Sequence, residues 1–225
     1  MSTRLFSPFT LRGLTLGNRI VISPMCEYSA VDGCATDWHV IHLGHLALSG
    51  AGLLIIEATA VEPRGRISRE CLGLYSDECE SALARVLAIV RRYSRMPIGI
   101  QLSHAGRKGA QLKPADGRGP IPEGAGGWRT VAPSALPFIA EWQTPEALDR
   151  AGMESIVEAF VRATERCLRL GLDLIEIHAA HGYLLSSFLS PIANRRDDAW
   201  GGSGEKRMRF PLEVFAAMRR AWPRE

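Results

Sequence analysis

The stretch Leu174-Ile175-Glu176-Ile177-His178-Ala179-Ala180-His181-Gly182-Tyr183 decides how this chain is read. An apolar-dominated run leads straight into two histidines and a tyrosine. A buried parallel strand reads as a near-continuous apolar run. In α/β barrels the reacting groups sit where such strands end. One strand end therefore presents two imidazoles and a phenol to a single point. Such a set can polarise an oxygen twice and deliver one proton.

Outward from that stretch, the same grammar repeats. Strand-like runs are expected at 19–23, 53–59, 98–103 and 172–178, each rich in Ile, Leu or Val. Helical patterns lie between them. One runs from near Trp38 to Gly50. A second starts at Ser76 or Asp77 and aligns Leu83, Val86, Leu87 and Val90. A third, 153–170, aligns Ile156, Phe160, Ala163 and Cys167, with Gly171 as its stop. A fourth covers 205–221. Alternating strands and helices imply a parallel α/β sheet. Residues 5–17 read as a hairpin or lid under that sheet. Residues 109–146, rich in Gly and Pro, read as a long excursion after the third strand. No repeat and no linker interrupts the pattern, so residues 1–225 read as a single domain, or part of one.

Composition narrows the function classes. The chain has 225 residues, is 46% hydrophobic and carries a net charge of +3. Scattered Lys and Arg give no basis for nucleic-acid or membrane binding. The pairs Arg91-Arg92 and Arg219-Arg220 read as solvated helix faces. The five cysteines, at 26, 34, 71, 79 and 167, form no Cys-x-x-Cys and read as thiols in a reducing compartment. Arg4, Pro8 and Arg12 interrupt any leader-like apolar segment, and no run reaches transmembrane length. A cytoplasmic location is expected.

Polar groups gather at all four strand ends. These are Ser23-Pro24-Met25-Cys26-Glu27-Tyr28, Glu57-Ala58-Thr59-Ala60, Gln101 through Lys108, and His178 through Tyr183. With Gly17-Asn18-Arg19-Ile20, Gly65-Arg66-Ile67, Ala132-Pro133-Ser134-Ala135 and Gly201-Gly202-Ser203, this order resembles the Old Yellow Enzyme family of flavin-dependent ene-reductases. It is most similar to the bacterial branch whose first strand ends in Pro-Met-Cys-x-Tyr, the NADPH dehydrogenase and xenobiotic reductase type. The resemblance covers essentially the whole chain.

The resemblance implies a TIM (β/α)8 barrel bearing FMN, of which this chain supplies the N-terminal hairpin and about four βα units. It implies that NADPH or NADH reduces the flavin, which then reduces the C=C bond of an α,β-unsaturated carbonyl compound. By the same resemblance His178 and His181 hold the carbonyl oxygen and Tyr183 gives the proton. A phenol of ordinary pKa, about 10, stays protonated at neutral pH and can act as that acid. Tyr28 reaches the substrate. Cys26 sits beside the isoalloxazine and tunes its potential. Ser23, Pro24 and Met25 pack the flavin, Ala58 leaves it room, and the Gln101 amide meets its pyrimidine edge. The expected partners are a small enone-type molecule and further copies of the chain.

Blander readings stand beside these. His178 and His181 could be half a metal site, but a zinc site needs three or four ligands, and no His-Glu-x-x-His frame is present; no metal is expected. His42 and His45 read as structural. Arg107 and Lys108 read equally as cofactor contacts or as solvated loop. Two departures from the family pattern are Glu205-Lys206-Arg207, where Glu-Asn-Arg is usual, and Trp200 in place of Tyr. A complete barrel takes roughly 250 residues, and a fifth strand is missing at Trp222-Pro223-Arg224-Glu225. Three readings follow: the front part of an ene-reductase, a non-catalytic half-barrel pairing with itself or a partner, or the front part of a larger relative with an iron–sulfur cluster acting on dienoyl thioesters or amines.

Overall fold

The computed structural model describes residues 3–117 and 119–223. A hairpin comes first, β1 (Phe9–Leu11) against β2 (Leu14–Leu16). Then follow β3 (Val21–Ile22), α1 (Asp37–Ala47), β4 (Leu53–Ala60), α2 (Asp77–Arg91) and β5 (Ile98–Ser103). A small ladder of β6 (Val131–Ala132) and β7 (Glu146–Ala147) sits in the long excursion. The chain continues through α3 (Arg150–Arg169), β8 (Leu174–Ile177), α4 (Leu184–Leu189) and α5 (Gly204–Ala221). The main sheet has the order β3-β4-β5-β8, and every pairing in it is parallel. These are the expected strands in the expected order.

Each face of the sheet has its own cover. Leu54, Ile56, Ile98, Ile100 and Leu102 point toward the helices. There they meet Leu83, Val86, Leu87 and Val90 of α2 and Met153, Ile156, Phe160, Ala163 and Cys167 of α3, so the apolar stripes read from the sequence are the ones buried. Burying one such large side chain is worth about 1.5–3 kcal/mol. On the other face Leu53, Ile55 and Leu174 pack against Leu14 and Leu16. The hairpin thus plugs the end of the sheet where the strands begin.

One irregularity aligns the face that matters. Ile56 pairs with Ile100, yet Ala58 pairs with Gln101, so Glu57 is an extra residue in β4. The bulge turns Ala58 and Ala60 to the same face as Gln101 and Ser103. Glu176 joins Ala58 and Gln101 in one row across three strands. Glu57 itself turns to α1: it accepts the Glu27 N–H (3.1 Å) and lies 3.3 Å from His39 Nε2.

Helix ends follow local chemistry. Ser76 accepts the Cys79 N–H at 3.2 Å, Asp149 the Gly152 N–H at 2.7 Å and Ser203 the Lys206 N–H at 3.3 Å. The Asp149 cap starts α3 three residues before the expected point. Gly171, at φ +64°, ends it as expected. Arg91 corrects its solvated reading: it donates to the Leu170 and Gly171 carbonyls at 2.8 and 2.5 Å, capping α3. Helix α4 is an addition; its six residues are too few for a period to show in sequence. None of the described helices is long and apolar enough to cross a membrane.

Candidate active site

The site forms where β8 stops. The His178 N–H still donates to Leu102 O at 2.9 Å, so His178 stays in register beside β5. The chain then turns back, with the Tyr183 N–H on Ala180 O (3.1 Å) and the Leu184 N–H on His104 O (2.9 Å). The turn needs two left-handed residues, Gly182 at φ +73° and His181 at φ +55°. Glycine accepts this freely; for histidine it costs on the order of 1 kcal/mol. Lys108 holds the strained residue, its Nζ donating to His181 O at 2.9 Å.

That turn brings three rings together. The His178 ring centre lies 5.0 Å from that of His181 and 4.7 Å from that of Tyr183. His178 Nε2 and His181 Nδ1 are 3.1 Å apart. The Ala180 N–H donates to His178 Nδ1 at 3.2 Å, which leaves the ring proton of neutral His178 on Nε2. His181 Nδ1 accepts from it, so the His181 proton sits on its own Nε2. Burial, with His181 and Lys108 nearby, pushes the His178 pKa down to about 4, and the ring is neutral at pH 7. Burial also holds the Tyr183 phenol above its ordinary pKa, with Cys26 and Tyr28 adding to the shift.

The first strand delivers its residues to the same place. Cys26, Tyr28 and Tyr183 pack together against Ile67, Cys71 and Ala105. Tyr28 also has left-handed backbone, at φ +51°. Burial holds the Cys26 thiol well above its ordinary pKa, with Cys71 and Glu57 adding to it. A thiol so protonated is a poor nucleophile. Ser23 and Met25 instead line a cavity of about 140 Å³ with Leu43, Leu46 and Glu57, between the sheet and α1. Pro24 lies between them, half-buried.

Several contacts at the site were not legible in the sequence. Lys108, read there as equally a solvated loop residue, lies over the Tyr183 ring at 5.4 Å and the Phe138 ring at 4.5 Å. Arg107 donates to the Leu136 and Pro137 carbonyls, both at 3.2 Å, and anchors the excursion. His104 takes the Gly106 N–H on Nδ1 (3.0 Å) and meets Glu62 through Nε2 (2.8 Å), which fixes the loop carrying Lys108. The Gln101 amide donates to Glu176 at 2.5 Å. Glu176 was legible only as the one charge in an apolar strand, two residues before His178. Ser103 Oγ is buried with no hydrogen-bond partner among the described residues.

This wall fits a flat heteroaromatic ring. Ala58 and Ala60 leave space, the Gln101 amide offers a polar edge, and Ser103 supplies an unsatisfied hydroxyl on the same face. Among the described residues no group of three or more His, Cys, Asp or Glu is arranged to hold a metal ion.

Known proteins are similar to this chain in sequence and in fold. Residues 4–225 match the model of the NADH:flavin oxidoreductase / NADH oxidase family. An NADPH dehydrogenase of Geobacillus sp. (strain WCH70) is 45% identical over 224 residues, 99% of this chain and 61% of the relative. Morphinone reductase in complex with tetrahydroNAD superposes with a TM-score of 0.85 at 32% identity, over 98% of this chain and 61% of that one. Old Yellow Enzyme from Pichia sp. AKU4542 gives a TM-score of 0.87 at 30% identity, over 97% and 57%. The hairpin and four βα units are therefore those of the (β/α)8 barrel. The chain spans about three fifths of the length of the curated relatives it matches.

Proposed function

The chain belongs to the NADH:flavin oxidoreductase / NADH oxidase family, and on that premise we propose that it carries the substrate side of an FMN-dependent, NADPH- or NADH-consuming ene-reductase. The observation that carries this reading is the pair of linked imidazoles, His178 neutral at pH 7, beside a protonated phenol. We take residues 1–225 as one domain of that enzyme. Its substrate class is an α,β-unsaturated carbonyl compound.

FMN, when bound, supplies the hydride that adds to the substrate β-carbon. The chain's own residues do the rest. Negative charge develops on the carbonyl oxygen, and fixed N–H donors stabilise it there. The Ala180 N–H on Nδ1 keeps the His178 proton on Nε2, where it now rests on His181 Nδ1; the carbonyl oxygen displaces that acceptor, and the freed His181 ring turns an N–H of its own to the same oxygen. Tyr183 gives its phenolic proton to the α-carbon, which is basic only after hydride has arrived. The product gains one hydride and one proton, and water reprotonates the tyrosine. A raised phenol pKa keeps the proton in place until that moment. Tyr28 closes the substrate pocket from the first strand. Cys26, Ala58 and Gln101 are the proposed side-chain contacts of the flavin, and Ser23, Pro24 and Met25, two of whose side chains turn toward α1, are proposed to meet it by backbone alone.

The test is the visible spectrum of the purified chain with FMN, taken before and after anaerobic NADPH and again after an enone such as cyclohexenone. Bleaching by NADPH and return of colour with the enone is the expected result. A chain that binds no flavin rejects the proposal for this chain and favours the non-catalytic half-barrel.

A further inference from the structure

We propose that Glu176 is a positioning residue that fixes which way the Gln101 amide faces, and so makes Gln101 a reader of an imide edge. This inference rests on the flavin reading above and adds to it a residue and a selectivity.

Gln101 and Glu176 are register partners on neighbouring strands, and Gln101 Nε2 donates to Glu176 Oε1 at 2.5 Å. A primary amide has two flips of nearly equal shape. Without a partner it averages over both. An ionised carboxylate only accepts, so it tolerates the NH2 end of Gln101 and repels the C=O end. The contact therefore selects one flip. What remains free on Gln101 is one N–H and the carbonyl oxygen, side by side. That donor–acceptor edge complements a ring N–H flanked by a ring C=O, as at the pyrimidine end of a flavin. The row places it well: Ala58, the other register partner of Gln101, has no bulk to block a flat ring. Gln101 is buried, so a wrongly flipped amide would face the ring N–H with its own N–H, and water could not easily repair the mismatch.

The test compares FMN with N3-methyl-FMN, which lacks the ring N–H. Dissociation constants come from quenching of flavin fluorescence, with no turnover required. The unaltered chain is expected to prefer FMN by roughly tenfold or more. Glu176→Leu is expected to weaken FMN about tenfold and to bring the two flavins within about twofold of each other. Glu176→Gln, whose amide donates as well as accepts, tolerates either flip of Gln101 and should lose most of the preference. Should Glu176→Leu not fold, Glu176→Ala is read by the same ratio. A preference that survives loss of Glu176, or an unaltered chain with none, overturns the inference while the flavin reading stands. Binding of neither flavin by the unaltered chain overturns the flavin reading, and this inference with it.

Discussion

At the residue scale, the site divides its tasks by protonation state. In the proposed reaction Tyr183 gives up a proton, whereas the imidazoles only point one. Tyr183→Phe is therefore expected to slow the oxidative half-reaction by about 100-fold or more, leaving flavin reduction by NADPH nearly unchanged. Stopped-flow traces of the two halves separate these effects, and equal slowing of both would contradict the assignment. His178 makes a second prediction. Its pKa is pushed down to about 4 in the fold, against about 6.5 in an unfolded chain. Between those values the unfolded chain binds the extra proton, so stability is lost as pH falls from 6.5 toward 4. Urea unfolding of His178→Asn should show a shallower acid slope; an unchanged slope would assign the loss to other groups. The ring cluster was legible because its members lie within six residues of one another. Lys108 was not, since its partner His181 is 73 positions away. The Gln101–Glu176 contact was not either, because cross-strand register leaves no mark in a single strand.

At the element scale, the four strands and four main helices could be read from apolar spacing, and the caps from single residues. Ser76 or Asp77 was expected at the start of α2, and Ser76 is the one that caps it, accepting the Cys79 N–H. Ser76→Ala should lower stability by about 1 kcal/mol, read as a shift of the urea midpoint with an unchanged slope. No loss would mean that the acidic first turn, Asp77, Glu78 and Glu80, holds the helix start unaided. The bulge at Glu57 was hidden. Its sequence, Ile55-Ile56-Glu57-Ala58, alternates no differently from a regular strand. Only the demand of α1, where His39 faces the Glu57 carboxylate, fixes which residue is extra. Helix α4 escaped notice for the opposite reason: a period needs more residues than it has.

At the scale of the whole molecule, among the described residues β3 and β8 each pair on one side only. Ile20 and Val21 are exposed beside the β3 edge. Strand edges of this kind template further pairing. Light scattering is expected to give a mass above the 24.6 kDa of one chain that rises with concentration. A constant single-chain mass would speak against self-association. The β1–β2 hairpin carries a practical consequence of a different sort. Its leucines seal the pole of the sheet opposite His178, and its tip, near Gly13, is exposed. The reacting groups thereby gather at the other mouth of the sheet. A surface tether or fluorescent label attached at the hairpin tip would turn that mouth outward, so the chain could be immobilised in a defined orientation with its reactive end open.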